Sequence, residues 1–196
     1  MPAKPKLKLM VASTVYHFED QLRQICAVLN GFGFEVWNSH IGTIPINPGF
    51  SNLDNCVAAA RDCDAFLGII RSFYGSGIIG DRSITHEEFR EAVRLQKPRW
   101  FLVHRDVVFA RQLLKPYIFK RKGGRSKFKL KKNPVFDDLR VIDLYHDAIQ
   151  NEVVPENRKG HWAQEFYRIE EALTYVDSQF KDSVRIRKIC EEMKAI

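Results

Sequence analysis

The chain has 196 residues, 45% apolar and 12% aromatic, with a formal net charge of +7. That composition specifies a globular protein with room for a two-sided core and excludes a disordered one. No apolar run approaches the roughly 20 residues that span a bilayer, so no membrane partner is expected.

The first residues, Met1–Lys6, are basic, but the apolar stretch that follows is short and broken by Lys8, which does not read as a secretory signal. Lys6–Ser13 (KLKLMVAS) reads as a strand. Phe18–Asn30 places Leu22, Ile25, Cys26 and Leu29 at helical spacing, and Gly31 and Gly33 stop it. Phe34–Trp37 reads as a second strand and Asn38–Gly49 as a loop. Ser51 or Asn52 caps a helix running through Cys63. Asp64–Arg71 (DAFLGIIR) is almost continuously apolar, as a strand buried on both faces is. A glycine-rich loop, Phe73–Arg82, leads into a helix over Thr85–Gln96 that ends at Lys97-Pro98. Arg99–His104 reads as a strand, Asp106–Leu114 as a helix and Leu139–Leu144 (LRVIDL) as a strand. Trp162–Phe180 and Val184–Met193 read as closing helices.

Strands alternating with helices predict right-handed crossovers and a parallel sheet, with Lys6–Ser13, Phe34–Trp37, Asp64–Arg71 and Arg99–His104 as neighbours. The expected organisation is one domain over 1–196, with a core of 6–145 and a helical part at 160–196. In such a sheet, ligands bind beyond the carboxyl ends of the strands, here Ser13-Thr14, Trp37-Asn38 and Ser72–Gly75.

The charge is concentrated. Lys120–Lys132 (KRKGGRSKFKLKK) holds eight basic residues and no acid, and the rest of the chain has 23 basic against 24 acidic residues. A nucleic-acid partner is therefore not expected, since such proteins spread Lys and Arg over a face. In this segment Lys127, Lys129 and Lys131 alternate with Phe128 and Leu130. The alternation fits an edge strand guarded by lysines, or else a phosphate contact, and the whole segment is expected to be a projecting hairpin or mobile loop with its lysines in solvent. The cysteines Cys26, Cys56, Cys63 and Cys190 form no C-x-x-C pair and no zinc spacing, so they read as buried thiols of a cytosolic protein with no metal or resident cofactor. Cys56 and Cys63 share a helix face.

Gly75-Ser76-Gly77-Ile78-Ile79-Gly80 is formally G-x-G-x-x-G, but it follows the third strand and its helix begins late. The other readings are a loop that brings backbone N–H groups to a ligand, and a plain surface connection. Thr85-x-x-Glu88 fits a capping box, which by itself explains Glu88. The competing reading makes Glu88 a catalytic carboxylate at the ligand edge, stabilising an oxocarbenium-like centre. A capped Glu88 has a lowered pKa and is ionised. His17 and His86 read as surface residues or as ligand contacts. Thr14, Tyr74 and Glu88 are expected to face one another across a pocket also lined by Ser13, Gly75, Ser76, Gly77 and Thr85.

Val11–Tyr16 (VASTVY), Cys63–Gly77 (CDAFLGIIRSFYGSG), Ser83–Val103 (SITHEEFREAVRLQKPRWFLV) and His161–Leu173 (HWAQEFYRIEEAL) together resemble the DUF4062 family. The resemblance implies a flavodoxin-like, TIR-like α/β fold related to nucleoside 2-deoxyribosyltransferases. It further implies a nucleotide- or NAD-type ligand, N-glycosidic bond cleavage and a setting in signalling or defence. In the transferases a catalytic Glu stands nine residues before the Lys of a Gly-Lys-Pro helix end. Glu88 and Lys97-Pro98 match that spacing, and Glu87 does not. The chain departs from the family near its start, where His17 stands in place of an acid and no Glu-Arg follows, which puts activity in doubt. The alternative is a non-catalytic sensor or assembly module with a protein partner or a second copy, in which Glu88 only caps its helix.

Overall fold

The computed structural model describes residues 5–75, 77–119 and 126–194. It is an α/β, flavodoxin-like structure with five parallel strands flanked by helices. The strands are β1 (Lys8–Ser13), β2 (Glu35–Trp37), β3 (Ala65–Ile70), β6 (Arg99–His104) and β7 (Ala163–Phe166), in the order β2-β1-β3-β6-β7. All four pairings are parallel, including the three expected ones. A two-stranded antiparallel hairpin, β4 (Ile78–Ile79) and β5 (Arg82–Ser83), stands apart from the sheet.

The period-2 alternation of β3 divides the core. Phe66 and Ile70 face one layer with α2 (Asn52–Asp62), α3 (Ile84–Arg94), α4 (Arg105–Ile118) and α5 (Arg140–Ala148). Ala65, Leu67 and Ile69 face the other with α1 (Glu19–Gly31), α6 (Ile169–Phe180) and α7 (Ser183–Lys194). At the centre of the first layer Phe89 stacks on Phe101 (5.4 Å) and meets Phe66 edge-on (5.3 Å). Gly68 makes room for this cluster, because a Cβ there would lie 2.4 Å from Phe89 Cζ and 2.8 Å from Phe101 Cδ1. The four cysteines are free and buried. No helix among the described residues is long and apolar enough to cross a membrane.

Three expectations are corrected here. Leu139–Leu144 is not a strand but lies at the start of α5. Its buried residues Val141, Ile142, Leu144 and Ala148 recur at three and four, the helical interval that a six-residue window concealed. Trp162–Phe180 is not one helix. Its first part is the edge strand β7, in which the Ala163-Gln164-Glu165-Phe166 pattern is half-polar because one side faces solvent. The helix begins at Ile169, and Glu171 in its first turn reaches back to accept the backbone N–H of Tyr167 at 2.7 Å. In the basic segment, 120–125 lie outside the described residues, and 126–132 form no strand. Lys127, Lys129, Lys131 and Lys132 are exposed, and the sheet edge beside β6 is taken by β7.

Candidate functional site

Two helices begin at the carboxyl edge of the sheet, and their caps are local sequence features. Ser51 caps α2: its hydroxyl accepts the Asp54 N–H at 3.1 Å, and Asp54 reaches back to the Ser51 N–H. Ser83 caps α3 by accepting the His86 N–H at 3.3 Å. Thr85 is therefore not the cap, and the Thr85/Glu88 box does not form. The cap falls two residues earlier because Ser83, at the end of the hairpin, already has extended backbone (ψ 157°) and α3 starts at Ile84. With Thr85 inside the helix, Glu88 is freed from capping.

Between the two helix N-termini and the end of β1 lies a cavity of about 430 Å³, lined by Ser13, Thr14, Gly75, Thr85 and Glu88. Ser39, Ile44, Ile46, Asn52, Asn55 and Cys56 also line it, from the β2–α2 connection and the first turns of α2. Sequence reading missed this wall. Its signal was the Ser51 cap, which places the α2 N-terminus at the same edge as the end of β2. Asn55 shapes the wall, its amide accepting the Asn47 N–H at 2.8 Å and donating to the Asn47 carbonyl at 3.2 Å. Asn38 ties the loop to β1 by donating to the Val11 carbonyl at 2.8 Å. Gly75 sits against Thr14: its φ is +91°, and a Cβ there would come within 2.9 Å of Thr14 Cγ2. Ser13 donates to the Thr14 carbonyl, whereas Thr14 Oγ1 is buried with no hydrogen-bond partner among the described residues.

Glu88 forms the cavity floor at 3% exposure and packs toward α2, where the Cys56 thiol hydrogen-bonds its carboxyl. Burial raises its pKa to about 8, and the Cys56 bond offsets part of that rise. The expected lowered pKa is thus overturned, because no capping bond stabilises the anion and desolvation dominates. Burial, together with the neighbouring Glu88 carboxylate, pushes the Cys56 thiol up to about 12.

Tyr74 does not face Glu88 across the pocket. It is buried at 1%, its hydroxyl 2.6 Å from His86 Nδ1 while accepting the Ser83 N–H at 3.2 Å. His86 Nε2 lies 3.1 Å from Asp147 on α5, which Arg90 approaches at 3.4 Å. The Tyr74 N–H donates to Asp137 at 2.8 Å, and the Arg140 guanidinium covers the ring at 4.8 Å. This Tyr74–His86–Asp147 line fixes the loop that carries Gly75 and lies behind the pocket wall.

The structure therefore brings Ser13, Thr14, Gly75, Thr85 and Glu88 together and leaves Tyr74 and His86 behind them. His17 is exposed beside Tyr16 and Phe73, with φ +55°, and Gly77 opens the exposed hairpin; neither lines the cavity. Ser76 lies outside the described residues. The G-x-G-x-x-G segment encloses strand β4 and does not open a helix, so the dinucleotide fingerprint is not formed. Among the described residues no group of three or more His, Cys, Asp or Glu side chains is placed to hold a metal ion.

A family model described as "Domain of unknown function (DUF4062)" matches residues 8–157. No curated protein and no solved structure matches the chain.

Proposed function

The chain belongs to the DUF4062 family, and from that premise and the pocket we propose that the cavity binds a nucleotide-type ligand whose N-glycosidic bond Glu88 helps to cleave. The observation that carries the reading is a desolvated carboxyl on the floor of a cavity at the carboxyl edge of a parallel sheet. The volume suits a small ligand. The convergent N-termini of α2 and α3 favour a phosphate. Thr14 Oγ1, buried without a partner, offers a hydroxyl to a ribose.

Glu88 rests mostly protonated at neutral pH. As positive charge develops at the sugar C1′, the carboxyl ionises and stabilises it. The C1′–N bond breaks with its electron pair leaving on the base. The carboxyl's proton passes to a base that departs as an anion, or to solvent when the neutral nicotinamide departs. Water bonds to C1′ while its released proton returns to Glu88. A step that needs the carboxylate accelerates as pH rises toward 8. The test is base or nicotinamide release from nucleosides and NAD by wild type and Glu88→Gln, with calorimetric binding of the same ligands. Glu88→Gln is expected to bind but to lose roughly 100-fold or more in rate.

A second reading, a sensor or assembly module that binds without cleaving, draws on the burial of Glu88 against α2, which keeps it neutral. Exposed Ile46, Phe50, Ile78 and Ile79 give such a module apolar surface for a protein partner. Ligand binding with no release by either protein selects this reading. Absence of both binding and release removes the nucleotide assignment.

A further inference from the structure

At the opposite, amino edge of the sheet, Arg99 opens β6 inside a different cavity of about 610 Å³. Its walls are Pro98 and Trp100 beside it and Ile189 and Met193 from α7. Arg99 is 8% exposed. One Nη donates to the Lys97 carbonyl at 3.1 Å and the other to the Lys159 carbonyl. Nε–H is buried and has no partner among the described residues. No carboxylate pairs with this guanidinium among its described contacts, and the residues lining the cavity include Lys97 and Lys159 but no acid. In the adjoining recess Asp64 is taken by Lys194 at 2.7 Å.

A guanidinium cannot shed its charge on burial as a carboxyl can. Desolvation depresses its pKa only to about 10, so it stays cationic. Burying an unpaired cation is costly, and two neutral carbonyls offset only part of that cost. The cover over the charge is thin. Gly160, exposed and with φ +60°, lies over the guanidinium, and a Cβ there would come 3.1 Å from Cζ and 3.3 Å from Nε. A small displacement of this glycine gives an acceptor access to the orphan Nε–H.

We infer that this amino-edge cavity is a second ligand site, for a small amphipathic organic anion. Its acidic head meets Arg99, and its apolar body lies between Trp100 and the Ile189/Met193 face of α7. The cation, the missing counterion and the apolar walls each select part of that chemistry, and none of them depends on Glu88.

The test is a fluorescence titration of the full chain with 8-anilinonaphthalene-1-sulfonate, competed by octanoate and by octanol. Saturable binding displaced by octanoate, with octanol roughly tenfold weaker or worse, is expected. Arg99→Met is expected to weaken the probe about tenfold or more. Met193→Trp fills the cavity from α7 while leaving Arg99 and its backbone bonds in place, and is expected to block binding even where Arg99→Met folds poorly. Glu88→Gln is expected to leave binding unchanged, which separates this site from the carboxyl-edge pocket. No saturable binding to the wild type, equal displacement by octanol, or undiminished binding to Met193→Trp overturns the inference.

Discussion

Among the described residues, Glu88 at the carboxyl edge of the sheet is buried without a cation beside it, and Arg99 at the amino edge is buried without a carboxylate. The two groups meet the same desolvation and respond oppositely. Glu88 gives up its charge, its pKa rising to about 8, and takes a bond from a thiol. Arg99 keeps its charge and recruits backbone carbonyls from Lys97 and Lys159. The acid is thus a charge available on demand, when positive charge arrives. The guanidinium is a standing charge that holds an acceptor-hungry position open. The same sheet can host a responsive group at one end and a fixed one at the other because carboxyl and guanidinium differ in how far their pKa must move to reach neutrality.

The largest expected effect tests this difference directly. The folded-state pKa of Glu88 lies above its ordinary 4.5, so the stabilising advantage of the buried neutral acid is full below about 4.5 and is lost as pH rises through about 8. Urea unfolding of wild type and Glu88→Gln should therefore diverge between about pH 5 and about pH 9 by on the order of 3–5 kcal/mol, with Glu88→Gln gaining relative stability at the alkaline end. The corresponding difference for Arg99→Met should stay flat over most of that range, because the guanidinium remains charged up to about pH 10. A flat Glu88 difference, or a steep Arg99 one, breaks the comparison.

Next in size are the two glycines that cover these sites. Gly75→Ala places a methyl 2.9 Å from Thr14 Cγ2 at φ +91° and should cost about 2–3 kcal/mol. Gly160→Ala meets the guanidinium at 3.1 Å with φ +60°, on an exposed segment that can give way, and should cost about 1 kcal/mol. Equal costs would mean that the two edges are equally rigid. Tyr74→Phe leaves the Ser83 N–H and His86 Nδ1 without their buried partner and should cost about 1–2 kcal/mol. It should also weaken ligands of the Glu88 pocket while leaving sulfonate binding at Arg99 untouched. The smallest effect is expected of charge reversal at Lys127, Lys129 and Lys131: these exposed side chains should move stability by less than about 0.5 kcal/mol and alter neither site.

The sheet was legible because β1, β3 and β6 are apolar runs with helical segments between them, and their order follows from handedness. β7 was not, because an edge strand of four residues carries no alternation strong enough to distinguish it from a helix start. The pocket was half legible. Strand ends and the α3 N-terminus are positions that chain order dictates, and they brought Ser13, Thr14, Gly75 and Glu88 into view. The protonation of Glu88 was hidden, since it depends on where the cap falls. Ser83 and Thr85 are equally good capping residues in sequence, and only the hairpin before them decides between the two. The Arg99 cavity was invisible because its walls come from segments some 60 to 90 residues away in the chain, Lys159–Gly160 and Ile189–Met193.

Gly68 has a consequence for timescale. Lacking a side chain, it lets Phe89 settle on the sheet between Phe66 and Phe101, and Glu88 is the residue immediately before Phe89. The acid's backbone therefore moves only when the Phe66–Phe89–Phe101 cluster opens. Amide hydrogen exchange along α3 should report opening energies near that of global unfolding. The facing wall, from Asn38 to Asn55, rests on side-chain bonds from Asn38 and Asn55, and its amides should exchange through local openings of much lower energy. A ligand of the proposed pocket would then enter by movement of that wall, with the floor already in its final place when it arrived.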